Sequence, residues 1–274
     1  MKAYTDSEDA ARAYDTGRGK YSRKAVAALV QGCGMVETPP NAIVELGAGH
    51  GRFTRLLADG VAHLPGDRRS RQLFAVEPAG VVARLASEAA AAPMAVTAVR
   101  AAAEQLPFRT GSIDAVVAAQ SFHWFADAAV DEIHRVLAPG APLALYWNIR
   151  QAMTARGQFV QALAQLEDLI TDAYPHSTPR QQSGEWRVPL DASRLFAPLR
   201  KTVIPSVWGG SLDTCTDGVM SVSGIASRSE ADQAEIRREV RRLLRLAAAE
   251  LGQDSSATLR LPCEEQVWLT AALR

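Results

Sequence analysis

At 274 residues the chain is long enough for one large α/β domain with insertions, or for two small ones. Its 30 Lys and Arg balance 30 Asp and Glu, so no basic field points to nucleic acid and no acidic excess to a disordered tail; a small-molecule partner fits better. Hydrophobic residues reach 47%, but in short runs broken by charge, well below the roughly 20 residues of a membrane span, and the polar start MKAYTDSEDAARAYD is unlike a secretory signal. A cytoplasmic protein without a membrane partner is expected; nothing in the pattern fixes an oligomeric state. Cys33, Cys215 and Cys263 are widely separated and the five histidines lack metal-ligand spacing, so metal-free chemistry is the expectation.

From Ser7 to about Val30 the pattern is helical, broken at Gly17 and Gly19, with apolar residues resuming at Ala25, Val26, Leu29 and Val30. The break brings Tyr14, Arg18 and Tyr21 near one another, either as a surface turn or as a lid with Arg18 facing a ligand carboxylate. Residues 41–57, NAIVELGAGHGRFTRLL, read as a buried strand, a glycine-rich turn and a helix from Arg52 to Ala58 that stops at Gly60. Gly47, Gly49 and Gly51 let the backbone turn sharply and approach a ligand, while the following helix aims its first N–H groups at an anion. A dinucleotide fingerprint would need its third glycine where Arg52 stands.

A second strand over Gln72–Val76 ends in Glu77-Pro78. A carboxylate at that tip can accept from both hydroxyls of a ribose, or merely complement a helix N-terminus. A helix from Ala79 to about Ala91 and a third strand over Met94–Arg100 follow. The amides and carboxylate around Ala103-Glu104 and the LPF turn stand where they can edge an adenine. Ile113–Ala119 reads as a fourth strand, with Gln120, Ser121, Phe122, His123 and Trp124 at its carboxyl end, where open parallel sheets bind ligands. Asp131–Leu137 reads as a helix carrying His134 as a surface or cap residue, and Pro142–Trp147 as a fifth strand ending in Asn148.

Gln158–Ala173 is an amphipathic helix and 174–190 a loop. Arg200–Trp208 reads as a sixth strand, Glu230–Leu251 as a long helix and Val267–Leu273 as a seventh strand. The arginines at 237, 238, 241, 242 and 245 are interleaved with Glu235, Glu239 and leucines, which describes a solvated face rather than a nucleic-acid site.

The order ELGAGHGRFTRLL, AVEP, AEQLPF, SIDAVVAAQSFHWF, EIHRVLAPG, LALYWN resembles the class I S-adenosylmethionine (SAM)-dependent methyltransferases of type 11, in particular a small-molecule subgroup with FHWF after the fourth strand. The likeness is strong over residues about 10 to 150 and fainter in the C-terminal part. It implies an α/β, Rossmann-like, seven-stranded mixed sheet with helices on both faces and a partly helical cap. The whole chain, 1–274, would form one domain, with an N-terminal lid over about 1–40 and a cap insertion over about 150–198.

The implied cofactor is SAM, held by Tyr14, Arg18, Glu45, Gly47, Ala48, Gly49, Gly51, Glu77, Pro78, Ala103, Glu104 and Gln120. Ala102 stands where many relatives carry Asp or Thr, leaving adenine recognition to backbone or Glu104. Tyr21, Phe122, Trp124 and Trp147 are substrate-contact candidates, with Trp186 beside them; aromatic faces suit a sulfonium and an organic acceptor, though each also suits core packing. His123 is the candidate general base, or else a residue that orients the loop after the fourth strand. The implied reaction is methyl transfer to a small organic acceptor, a carboxylate or a carbon, nitrogen or oxygen of a natural product. The alternative is a methyltransferase-fold protein, such as a cyclase, that holds SAM without transferring methyl.

Overall fold

The computed structural model describes residues 21–67, 70–78, 85, 92–174 and 183–274. Seven strands form one sheet: β1 (Ala42–Leu46), β2 (Gln72–Val76), β3 (Ala95–Val99), β4 (Ala115–Ala119), β5 (Pro142–Arg150), β6 (Arg200–Gly210) and β7 (Leu259–Ala271), in the order β3-β2-β1-β4-β5-β7-β6. The first five pair in parallel. The chain steps outward from β1 to β2 and β3, then returns to lay β4 on the other flank of β1, so the switch in strand order lies between β1 and β4. All five β4 residues and four of the five in β1 are buried, as central strands covered on both faces must be. This is the seven-stranded, mixed, Rossmann-like α/β sheet that the motif order implies.

Two side chains fasten β1 to β4. At the amino end, Asp114 Oδ2 accepts from the Asn41 and Ala42 amides at 2.8 and 2.9 Å. At the carboxyl end, the buried Ser121 hydroxyl donates to the Leu46 carbonyl at 2.7 Å. Between them Ile43, Val44 and Glu45 stand opposite Ala115, Val116 and Val117.

Helix α1 (Arg23–Gly32) starts where the Ser22 hydroxyl accepts from the Ala25 amide, and it buries Ala25, Val26, Leu29 and Val30. Helix α2 (Arg52–Ala62) runs through Gly60, where a stop was expected. A Cβ at Gly60 would lie 2.7 Å from Val26 Cγ1, so this glycine serves helix contact rather than termination. Arg71, almost wholly buried, donates to the carbonyls of Pro40, Val61 and Pro65 at 3.1, 2.7 and 2.9 Å. It thereby satisfies a carbonyl of the last α2 turn, which has no partner within the helix.

The described residues fall into two compact units, one of 21–147, 183–203 and 266–274, the other of 148–174 and 204–265. The second has its own core, in which Leu163, Leu166 and Ile170 of the helix Gln161–Asp172 join Val219 of the helix Leu212–Met220 and Val240, Leu243 and Leu244 of the helix Glu230–Glu250. Within it the Arg150 guanidinium pairs with Glu167, Nε to Oε1 2.5 Å, and lies 5.4 Å from the Trp208 ring centre. Arg237 pairs with Asp217, Arg241 with Asp213 and Arg242 with Glu239, so three of the clustered arginines meet carboxylates.

Several boundaries differ from expectation. β4 starts at Ala115, because Ile113 makes only an isolated bridge to Leu137. β5 continues three residues past Trp147. β7 begins at Leu259, eight residues early: Leu259, Leu261, Cys263, Glu265 and Val267 alternate inward, a pattern that Pro262 and an inward glutamate disguise. Part of the expected 174–190 loop holds a 3-10 turn, Glu185–Arg187, leading into a short helix, Val188–Ser193. Apart from buried Leu85, the expected helix over 79–91 lies outside the described residues, as does the break at Gly17 and Gly19.

Candidate active site

The site lies at the carboxyl end of β1, β2 and β4. Gly47, Gly49 and Gly51 have φ of 67°, 56° and 85°, the left-handed region that glycine adopts without a Cβ penalty. The amides of Gly47 and Ala48 turn back to the Val76 carbonyl at 2.9 and 3.0 Å, which draws the turn over the tip of β2. There the Gly49 amide donates to Glu77 Oε2 at 3.0 Å, so the glycine turn and the β2 carboxylate form one surface. Pro78 is exposed beside it.

Glu45 is fully buried, and its Oε2 has no hydrogen-bond partner among the described residues. Burial pushes its carboxyl up to about 8; the Thr54 hydroxyl pulls it down and the Glu77 carboxylate pushes it up further. Burial therefore favours the neutral acid, and a cation beside the group would favour its carboxylate.

On the β3 side, Ala103 is buried, and Glu104 Oε1 accepts from the Ala126 amide at 2.7 Å. Two amides of this turn are already taken: Gln105 donates to the Ala102 carbonyl and Leu106 to Glu132 Oε1. Arg135 completes the clamp, donating to the Leu106 and Phe108 carbonyls while paired with Glu132.

β4 ends at Ala119; the φ of 57° at Gln120 turns the chain sharply, and the 3-10 turn Phe122–Trp124 follows. Phe122 is buried between Phe125 and Trp186, at ring-centre distances of 5.6 and 6.2 Å. Trp147 is 1% exposed and stacked on Trp186 at 4.3 Å, which makes it core rather than an open wall. Its indole N–H donates to His123 Nδ1 at 3.3 Å. Trp124, 53% exposed, lies 5.0 Å from the His123 ring and is the aromatic of this turn that faces outward. Tyr21 packs against Phe53 and Tyr146 with Arg52 over its ring, at the root of the glycine turn.

The fold therefore gathers Glu45, Gly47, Ala48, Gly49, Gly51, Glu77, Pro78, Tyr21 and the 120–124 turn at one edge. Tyr14 and Arg18 lie outside the described residues. His134, expected as a surface or cap residue, contacts the Leu273 carbonyl through Nε2 and the Phe196 ring edge-on, which is a packing role. Sequence reasoning missed the Ser121 fastening, the Trp147–His123 bond and the Glu132–Arg135 clamp; only Glu132-x-x-Arg135, a charge pair one helical turn apart, left a signal.

Comparison with known proteins fits this geometry. Residues 44–145 match the family model described as a methyltransferase domain. An uncharacterized methyltransferase of Mycobacterium tuberculosis is 31% identical over 183 residues, covering 64% of this chain and 67% of that protein. The chain belongs to the methyltransferase family. This methyltransferase also superposes on a proposed type II methyltransferase from Anaeromyxobacter dehalogenans with a TM-score of 0.60, 21% identity, and 93% and 97% of the two chains covered. The cyclase SpnF gives 0.50 at 17% identity, with 94% and 84% covered, which is a likeness of fold alone. The chain is a SAM-dependent methyltransferase by family, and its own residues fit that cofactor: the buried Glu45 Oε2, without a hydrogen-bond partner among the described residues, suits an ammonium, and a glycine turn under a carboxylate suits a ribose.

Proposed function

We propose that this methyltransferase transfers methyl from SAM to a small organic acceptor docked beside the 120–124 turn, the acceptor atom being a carboxylate oxygen or a carbon, nitrogen or oxygen of a natural product. The observation that carries the proposal is the joined surface of Gly49 and Glu77, together with the buried Glu45 Oε2, which has no hydrogen-bond partner among the described residues. When bound, the cofactor supplies an electrophilic methyl group on a sulfonium. Glu77 offers carboxylate oxygens to vicinal hydroxyls, Glu45 offers its buried oxygen to the amino-acid ammonium, and the Gly47–Gly51 backbone leaves room for the chain between. The aromatic residues of the 122–124 turn exclude water from the acceptor, and positioning alone can contribute on the order of 7–11 kcal/mol to such a displacement.

Calorimetry with S-adenosylhomocysteine tests the cofactor site. Binding is expected, with Glu77→Ala weakening it by more than about tenfold, the loss of a charged hydrogen-bonding partner. No binding by a folded chain would remove the proposal. Incubation with labelled SAM and a metabolite extract then reports the product mass; product formed without S-adenosylhomocysteine would point to a reaction other than methyl transfer.

A further inference from the structure

Residues 121–126 are held at both ends. At the entry the Ser121 hydroxyl donates to the Leu46 carbonyl at 2.7 Å, one residue before the glycine turn begins. At the exit the Ala126 amide donates to Glu104 Oε1 at 2.7 Å, a short charge-assisted bond between residues 22 apart in the chain. The Ala126 carbonyl is engaged as well, by the Ala129 amide 2.9 Å away, where the helix Ala129–Val136 starts. That helix returns to the turn from which Glu104 comes. Glu132 Oε1 accepts from the Leu106 amide at 2.6 Å, and Arg135 donates to the Leu106 and Phe108 carbonyls at 3.1 and 2.9 Å. The two charged side chains are joined to each other twice, at 2.7 and 2.8 Å. Both backbone polar groups of Leu106 are therefore fixed, two residues from Glu104. The bonds close into a ring that runs from Glu104 to Ala126, along the helix to Glu132 and Arg135, and back to Leu106.

Between the two ends of 121–126 stand Phe122, His123 and Trp124. Phe122 is buried, whereas Trp124 is 53% exposed, so the direction of its ring follows from the backbone of the turn more than from packing. We infer that Glu104 is a positioning residue for the methyl acceptor: its carboxylate fixes the exit of the 122–124 turn, and with it one wall of the acceptor site. This rests on the reading that the acceptor docks beside that turn, and it names the group that holds the wall in place. Glu132 and Arg135 serve the same end one step further out, because they fix the backbone from which Glu104 extends. The task is distinct from edging an adenine, which the motif order implies for this residue, and the two separate by experiment.

Signals are read on the nitrogen-labelled full chain, free and saturated with S-adenosylhomocysteine, with the Trp124 indole assigned through Trp124→Phe. In Glu104→Ala, amide exchange at Ala126 should quicken by roughly 10- to 100-fold, the worth of a hydrogen bond to a charged group. The Trp124 signal should move, while that of Trp208, in the core of the other unit, stays in place. Glu104→Asp keeps the charge but draws it back by one methylene and should resemble alanine. Glu104→Gln, whose amide oxygen still accepts from Ala126, should resemble wild type. In calorimetry all three variants should bind S-adenosylhomocysteine within about threefold of wild type, less than the loss of one hydrogen bond to a charged group. Methyl transfer from labelled SAM into a dilution series of metabolite extract should need about tenfold more extract for half-saturation in Glu104→Ala, with half-saturating SAM unchanged. Unchanged Ala126 exchange and an unmoved Trp124 signal in Glu104→Ala overturn the inference. So does a loss of S-adenosylhomocysteine affinity of about tenfold or more shared by all three variants with Trp124 unmoved, which is what an adenine contact predicts. A folded wild type that binds no S-adenosylhomocysteine, or transfers no label to the extract, would strike the methyl-transfer reading instead, and the signals of the free chain would still decide whether Glu104 holds the turn.

Discussion

Replacing Gly47 by alanine would place a methyl carbon 2.5 Å from Ser121 Cβ and 2.9 Å from its hydroxyl, at a φ of +67°. The left-handed backbone costs about 1–2 kcal/mol for a residue with a Cβ. Forcing the overlap open costs about 1–3 kcal/mol more, and the Ser121 bond to the Leu46 carbonyl, worth about 1 kcal/mol, is put at risk with it. Gly49 supplies the control, because its φ is +56° but none of the described residues lies within 4 Å of a Cβ there. Gly49→Ala should therefore show the backbone cost alone, and Gly47→Ala about 1–4 kcal/mol beyond it. Urea unfolding followed by tryptophan fluorescence compares the two, provided the slopes match wild type. Adding Ser121→Gly should return much of the difference, as a double-mutant cycle reads coupling between touching side chains. Equal midpoints for the two alanine variants, or no recovery in the double variant, would refute the packing argument.

For Glu45, with a folded value of about 8 above the ordinary 4.5, the unfolded chain ionises first. Its stabilising contribution is full below pH 4.5 and is lost as pH rises to 8, a fall of at most roughly 5 kcal/mol. Urea midpoints of the ligand-free chain should decline across that window, and less so in Glu45→Gln. S-adenosylhomocysteine affinity should rise over the same window in wild type and flatten in the variant, read by calorimetry. Arg71→Met strands three carbonyls in a buried site and should destabilise by about 3 kcal/mol or more, whereas Arg71→Lys recovers only part, because an ammonium cannot span all three. Thermal melts decide this. Burial pushes the thiols of Cys33 and Cys263 up to about 12 and that of Cys215 up to about 11, so a disulfide reagent at pH 8 should label the native chain slowly and three thiols once it is denatured.

What the sequence made legible was local chemistry. The run IVELGAGHG carries its own strand, turn and helix start, and the five buried residues of β4 need no tertiary knowledge to be found. Glu77 was legible because the strand before it ends in apolar residues and a proline follows. Distant partners were not. Nothing in the spacing joins Trp147 to His123, 24 residues apart, or Ser121 to Leu46, 75 apart, since each pair meets only once the sheet has assembled. Arg71 looked like the end of a charged loop; its burial follows from the carbonyls that three separate segments bring to it. Glu265 hid the early start of β7, because an inward carboxylate breaks the apolar alternation that marks a strand.

The two fasteners at either end of β1 act as a length gauge. Asp114 grips the backbone at Asn41 and Ala42, and Ser121 grips it at Leu46. A strand shortened or lengthened by one residue between those grips cannot satisfy both. It would also rotate Glu45 from the face it now occupies to the opposite one, since neighbouring residues of a strand point to opposite sides. The spacing of two ordinary hydrogen-bonding side chains that flank β4 thus calibrates, from outside the cofactor turn, which way the buried acid looks.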